Sequence, residues 1–174
     1  MGILNITPDS FFDGNPTFSE NIFQNSLNNL SKADIIDIGC ESSRPGANPV
    51  NEKEELKRLE IILPYLSNLE NIKLSIDTYK PNVAKYALLN GFRIVNDIKA
   101  GSDSFDMFEV ASNSNAELIL MHMKGVPQNM QNNPNYDNII DEISFFLNNR
   151  AEQAIKYGVS EENIIIDPGI GFGK

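Results

Sequence analysis

Six short apolar runs along the chain each end on a residue able to hold a ligand: Asn5, Asp37, Asp77, the Asn96/Asp97 pair, His122 and Asp167. Carboxylates accept hydrogen bonds and amides both accept and donate them, so a set of this kind can orient a small polar molecule. A second chemistry lies in residues 37–46, where Arg44 stands among Ser42, Ser43, Pro45 and Gly46. Forked guanidinium N–H groups beside hydroxyls and backbone amides can bind an oxyanion. A third segment, residues 5–14, runs from Asn5 into a loop carrying Asp9, Ser10, Phe11 and Asp13. Gly169, Gly171 and Gly173 let the backbone approach a ligand, but their spacing matches neither the dinucleotide fingerprint nor the Walker loop. Arg44, Lys80, Lys99, Lys124 and Lys174 stand near strand ends, where a single cation can hold one phosphate group.

These residues need a scaffold that gathers them on one side. The apolar runs at 3–7, 35–39, 73–77, 93–97, 118–122 and 163–167 read as strands buried on both faces. Helical periodicity fills most of the intervals. Residues 19–30 place Ile22, Phe23, Leu27 and Leu30 on one face, with Ser19 as N-cap. Residues 51–66 open with Asn51 and Glu54 in capping-box spacing, and Pro64 is expected to kink the last turn. The next helix has Pro81 in its first turn and Gly91 as its left-handed stop. Residues 105–112 and 136–157 complete the set; the latter has Ile139, Ile143, Phe146, Ala154 and Ile155 as apolar positions and ends at Gly158. Alternating strands and helices mean a parallel sheet with right-handed crossovers. Because every strand ends on a ligand-capable group, the α/β fold expected is a (β/α)8 TIM barrel with one catalytic face, rather than an open sheet with one switch point. About six β/α units are present, in a single domain spanning 1–174, against the ~250 residues typical of a whole barrel.

The net charge of −10 argues against nucleic acid or an anionic membrane surface as partner. No apolar run approaches the ~18 residues of a membrane span, and no leader-like segment opens the chain, so a cytoplasmic location is expected. A lone cysteine, Cys40, permits no internal disulfide and no cysteine-based metal cluster.

Taken in order, these segments resemble the dihydropteroate synthase family, and the resemblance touches every one of them from residue 1 to residue 174. It implies a barrel enzyme that condenses 6-hydroxymethyl-7,8-dihydropterin pyrophosphate with p-aminobenzoate, giving 7,8-dihydropteroate and pyrophosphate, with Mg2+ bound alongside the pyrophosphate. By that resemblance Asn5 is the protein ligand near the metal, and Ser43 and Arg44 hold the p-aminobenzoate and pyrophosphate region. Asp9, Phe11 and Asp13 belong to a first loop that closes over the site, where Arg44, Asp9 and Asp13 serve the chemical step. Asp77, Asn96 and Asp167 bind the pterin, with Met123 and Phe172 lining its pocket. His122 fits a structural place at a strand end about as well as a polar place in the site. A homodimer is implied for the full-length protein.

The chain departs from the family pattern in Cys40 for a small residue, Ser43 for threonine, and Asn15 for a second glycine after Asp13-Gly14. The family's last two β/α units supply a lysine, an arginine and a histidine with no counterpart here. The chain is therefore expected to be a fragment or truncated relic, weakly active or inactive alone, with open edges at its first and last strands. A pterin-binding methyltransferase domain would share the strand-end pattern but lack the 7–11 and 43–46 segments, whose presence favours the synthase. A non-catalytic pterin-binding module is the reading from another class.

Overall fold

All six apolar runs form strands: β1 (Gly2–Asn5), β2 (Ile35–Gly39), β3 (Lys73–Asp77), β4 (Ile94–Asp97), β5 (Glu117–Met121) and β6 (Ile164–Asp167). The computed structural model describes residues 1–7, 11, 18–42, 49–67, 69, 71–126 and 130–174. The strands are hydrogen-bonded in chain order, β1-β2-β3-β4-β5-β6, and every pairing is parallel. An open doubly wound sheet reverses its order at a switch point; this one never does, as a barrel requires. The helices α1 (Glu20–Asn29), α2 (Glu52–Leu66), α3 (Pro81–Leu89), α4 (Asp106–Asn113) and α5 (Ile139–Lys156) fill the five crossovers, so the sheet is part of a barrel wall, with β1 and β6 at its two edges.

Register decides which residues share a face. One row of partners runs Asn5↔Gly39↔Asp77↔Asn96↔Ile119↔Ile165, and two residues further along sits Met121↔Asp167. Side chains alternate along a strand, so Asn5, Asp77, Asn96 and Asp167 all lie on the same face of the sheet. The opposite face carries Leu4, Ile36, Ile38, Ile76, Val95, Leu118 and Leu120, which pack with Phe23, Leu59, Ile62, Val83, Ala87 and Phe108 of the helices into one core. Burying each large side chain of this set contributes about 1.5–3 kcal/mol before entropy is subtracted. Below the ligand-capable row the inner face holds Asp37, Ser75 and Ile94, all buried, and at its foot Lys73 pairs with Glu117 at 2.5 Å. Ile3 of β1 (67 % exposed) and Ile165 of β6 (40 %) show that this face is open at the edge strands.

Helix boundaries follow their signals with small differences. Asn51 caps α2 by accepting from Glu54 N at 2.9 Å, but the reciprocal arm of the box is absent because the Glu54 carboxylate takes Arg58 Nε at 3.1 Å. Pro64 lies inside α2, which runs on to Leu66. Ser19 sits at the N-cap of α1 without a side-chain capping bond. Pro81 opens α3, and Gly91 follows it at φ +96°. On α5 Ala154 is buried and Phe146 packs against the core as expected, Leu147 joins them, and Ile139 and Ile155 are exposed instead. Among the described residues no helix is long and apolar enough to cross a membrane.

Candidate functional site

The C-terminal strand ends bring Asn5 and Asp77 together over a bare backbone position. A Cβ placed on Gly39 would stand 2.7 Å from Asn5 Oδ1 and 3.3 Å from Asp77 Oδ2, so the two side chains converge where that glycine leaves room. Next along the row is Asn96, whose Nδ2 donates to Asp37 Oδ2 at 2.9 Å. Ser75 Oγ donates to the other Asp37 oxygen at 2.5 Å. Burial pushes the Asp37 carboxyl up, and the bonds from Ser75 and Asn96 oppose that rise. Asp77 is held well above the usual carboxylate range, first by desolvation and then by Asp37, Glu55, Asp97 and Glu41 around it, although part of the residue reaches the cavity.

That cavity, of about 160 Å³, is lined by Glu41, Ser42, Glu55, Asp77, Thr78, Tyr79, Lys99 and their neighbours. Under its rim Lys80 bridges Glu41, just past β2, and Glu55 of α2, the latter at 2.5 Å. Burial opposes the Lys80 charge, but the two carboxylates outweigh it and hold its pKa above the ordinary lysine value. Desolvation raises the Glu55 carboxyl; Lys80 partly offsets this, and Glu55 Oε1 has no hydrogen-bond partner among the described residues. Tyr79 donates to Glu41 at 3.1 Å, with Lys99 Nζ 3.7 Å above its ring. Cys40 is buried; its carbonyl accepts from Arg58 Nη1 at 2.9 Å and burial pushes its thiol up, so it is inert.

The structure separates the Asn96/Asp97 pair. Asp97 turns to the other side of β4, where it accepts from Lys99 N at 2.9 Å and Gly101 N at 2.6 Å. Arg150 of α5 ties down the same loop through Ala100 O at 2.6 Å and Gly101 O at 2.7 Å. Asp97 therefore holds the β4 exit loop rather than a ligand. Burial pushes its carboxyl up to about 6, against the two backbone bonds, which lower it. A raised folded-state value means the native protein holds this proton more tightly than the unfolded chain, so the gain is fully present below the unfolded value near 4. It is lost as pH rises through about 6. Stability measured by urea titration is expected to fall by roughly 2–3 kcal/mol between pH 4 and pH 7 on account of this group, with a smaller fall in Asp97→Asn. Equal slopes in both proteins would contradict the assignment.

His122 also faces away from the ligand row. Its ring meets Phe146 of α5 edge-on at 5.0 Å, and Lys174 Nζ lies 2.9 Å from Nδ1 and 3.0 Å from the His122 carbonyl. Burial first, and then Lys174, lowers its pKa, so the imidazole is a neutral structural group. The strand-end cations are engaged too: Lys80 and Lys174 as above, Lys99 with Asp103 at 2.5 Å, and Lys124 with Glu142 at 3.3 Å. Asp167 accepts from Gly169 N at 2.7 Å through Oδ1. A Cβ on Gly169 would collide with the His122 carbonyl and one on Gly173 with the Lys124 carbonyl. These two glycines let the β5 and β6 loops pack closely. Met123 and Phe172 are both partly exposed just beyond β5 and β6.

Phe11 is 3 % exposed and packs edge-on against Phe23 of α1 at 5.6 Å. Phe23 in turn packs against Phe18 and Tyr65, which closes an aromatic cluster around that ring. Asp9, Asp13, Ser43 and Arg44 lie outside the described residues. The sequence reading missed Gly39 and Ser75, and the buried pairing of Asp37; only the strand register reveals Gly39 between Asn5 and Asp77, with Asp37 and Ser75 beneath that row.

A barrel wall in chain order, presenting carboxylates and amides on its inner face at the C-terminal strand ends, defines a TIM-barrel protein. The family described as "Pterin binding enzyme" matches residues 1–174, and the chain belongs to that family. A dihydropteroate synthase from Synechocystis sp. is 44% identical over 176 residues, covering 100% of this chain and 61% of its own. Among solved structures, a Yersinia pestis dihydropteroate synthase in a sulfonamide complex superposes with TM-score 0.88 at 36% identity, covering all of this chain (100%) and 63% of the other. One from Burkholderia cenocepacia, complexed with 7,8-dihydropteroate, gives TM-score 0.82 at 39% identity, with 100% and 59% coverage. The chain thus spans about three fifths of the length of these synthases.

Proposed function

We propose that this protein is a dihydropteroate synthase. The amine nitrogen of p-aminobenzoate attacks the methylene carbon of 6-hydroxymethyl-7,8-dihydropterin pyrophosphate; the carbon–oxygen bond to pyrophosphate breaks and the amine gives up a proton. The observation that carries the reading is the shared inner face of Asp77, Asn96 and Asp167 at the ends of β3, β4 and β6. A carboxylate at Asp167 accepts side by side from the ring N–H and 2-amino group, Asn96 meets the mixed donor and acceptor edge, and Asp77 takes a further N–H. By family resemblance Met123 and Phe172, on the segments that follow β5 and β6, line the pterin pocket.

Rate comes from relieving negative charge on the departing pyrophosphate. By family resemblance Arg44 and Ser43 act there, and Asp9 and Asp13 act from the first loop. The residues present fit Mg2+, since Asn5 offers a hard amide oxygen beside Gly39 of the kind that ion takes together with phosphate and water. When bound, Mg2+ would supply charge neutralisation at the leaving group. A cytoplasmic location and a homodimer of the full-length protein go with this reading.

The test is p-aminobenzoate-dependent release of pyrophosphate in the presence of Mg2+. Release that needs the aryl amine and is lost in Asp167→Asn is the expected result. Pterin binding with no release would support a non-catalytic binding module instead.

A further inference from the structure

The loop that leaves β4 is held at every backbone N–H and carbonyl of Lys99, Ala100 and Gly101. Asp97 takes the three N–H groups: Lys99 N at 2.9 Å on Oδ1, Ala100 N at 3.0 Å on its carbonyl and Gly101 N at 2.6 Å on Oδ2. The Lys99 carbonyl accepts from Ser102 N at 3.0 Å. The other two carbonyls, those of Ala100 and Gly101, accept from Nε and Nη2 of Arg150 at 2.6 and 2.7 Å. Arg150 is fixed in turn: its guanidinium carbon lies 5.3 Å from the centre of the Phe105 ring and 5.1 Å from that of Phe108. A Cβ on Gly101 would stand 3.0 Å from Arg150 Nη2 and 2.5 Å from the Phe108 ring, so glycine is what admits this approach. Ala100, fully buried, has φ +50°, a left-handed conformation that an L side chain adopts at a cost and keeps only where its surroundings over-determine it.

This loop sets Ile98 and Lys99 against the cavity. Both line it together with Asp77, Ile98 being buried and Lys99 holding its Nζ over the Tyr79 ring. A ring whose N–H is accepted by Asp77 therefore lies against the Ile98 side chain. With Arg150 gone, the Ala100 and Gly101 carbonyls lose their donors at two buried residues. Buried carbonyls without partners are costly enough to turn a strained loop toward water, and that turn draws Ile98 off the cavity wall. We infer that Arg150 is a positioning residue: from the outer helix α5, and without touching the ligand, it holds the Ile98 wall of the pterin site in place. The inference rests on the pterin reading above and adds to it a determinant of ring affinity on the helix side of the barrel wall.

Calorimetric titration with 6-hydroxymethyl-7,8-dihydropterin under anaerobic conditions tests it. The proteins are the unsubstituted one, Arg150→Met, Arg150→Lys, Ile98→Ala and the double variant of Arg150→Met with Ile98→Ala, each checked for cooperative unfolding and titrated well below its melting temperature. Methionine keeps the stem beside the two Phe rings and removes the donors; lysine restores a donor for one carbonyl. Arg150→Met is expected to weaken binding about tenfold, the lower end of the effect of taking one aliphatic side chain away from an apolar partner. Arg150→Lys is expected to fall between that variant and the unsubstituted protein. Ile98→Ala is expected to weaken binding by a similar factor, and adding Arg150→Met to it to change affinity by less than about twofold, because both act on the same contact. Unchanged affinity in folded Arg150→Met overturns the inference, since a residue that only stabilises the fold lowers the melting temperature and leaves the affinity of the folded protein alone. A further loss of about tenfold when Arg150→Met is added to Ile98→Ala overturns it too, because coupled sites do not add. If Arg150→Met does not fold, unchanged affinity in Arg150→Lys overturns it. No binding by the folded, unsubstituted protein overturns the pterin reading and this inference with it.

Discussion

Lys80→Met is expected to lower the free energy of unfolding by about 3–5 kcal/mol, the usual cost of removing one member of a buried ion pair. The side chains concerned are 13 % (Lys80), 14 % (Glu41) and 1 % (Glu55) exposed, so water cannot replace the lost ammonium. The damage comes from what remains: Glu55, with one oxygen already lacking a partner, and Glu41 would face each other with no cation between them. Two checks separate this from lost packing, since methionine keeps most of the stem. Lys80→Met combined with Glu55→Gln should recover a large part of the deficit. The deficit should also shrink at low pH, because an unpaired buried carboxyl has its folded-state value raised; its destabilisation is absent below the unfolded value and grows as pH rises toward neutral. Urea titrations at pH 5 and pH 8 measure both. A loss under about 1 kcal/mol, or one that does not vary with pH, would show that solvent reaches the cluster and that the bridge is a surface one.

The same cluster shows why some of the site was legible in sequence and some was not. Strand-end residues could be read because a run of apolar residues followed by Asp or Asn is a one-dimensional signal, and β1 to β6 appear where those runs stand. Parity is not such a signal. Asn96 and Asp97 are adjacent, so a strand must send them to opposite faces, and only the pairing of Asp77 with Asn96 says which one meets the ligand. His122 follows Met121 in the same way and lands on the helix side against Phe146. Ion pairs across elements are harder still. Lys80 and Glu55 are 25 residues apart, and nothing at either position distinguishes them from solvated charges until β3 and α2 are packed together. The burial of Phe11 was not legible because its ring partner, Phe23, belongs to a later element, α1.

Gly39 was hidden for the opposite reason, since its contribution is the side chain it lacks. In Gly39→Ala the added methyl group would meet Asn5 Oδ1 and Asp77 Oδ2, both at the ends of side chains that can swing aside. The strand backbone has nothing to lose: alanine costs less conformational entropy than glycine on folding, by about 0.5–1 kcal/mol, so the melting temperature should stay level or rise. The ligand site loses instead, because Asn5 and Asp77 must both leave the positions in which they converge. Leaving a buried hydrogen-bonding group without its partner costs about 1–3 kcal/mol, so displacing Asp77 alone should weaken dihydropterin binding by roughly 10- to 100-fold. Displacing Asn5 should further weaken any dependence of pyrophosphate binding on Mg2+. Calorimetric titration beside thermal unfolding tests the pair of outcomes together. Parent-level affinity in the variant would mean that the two side chains do not need the space above Gly39, and a large fall in melting temperature would mean that this glycine serves the packing of β1 and β3 on β2 rather than the site.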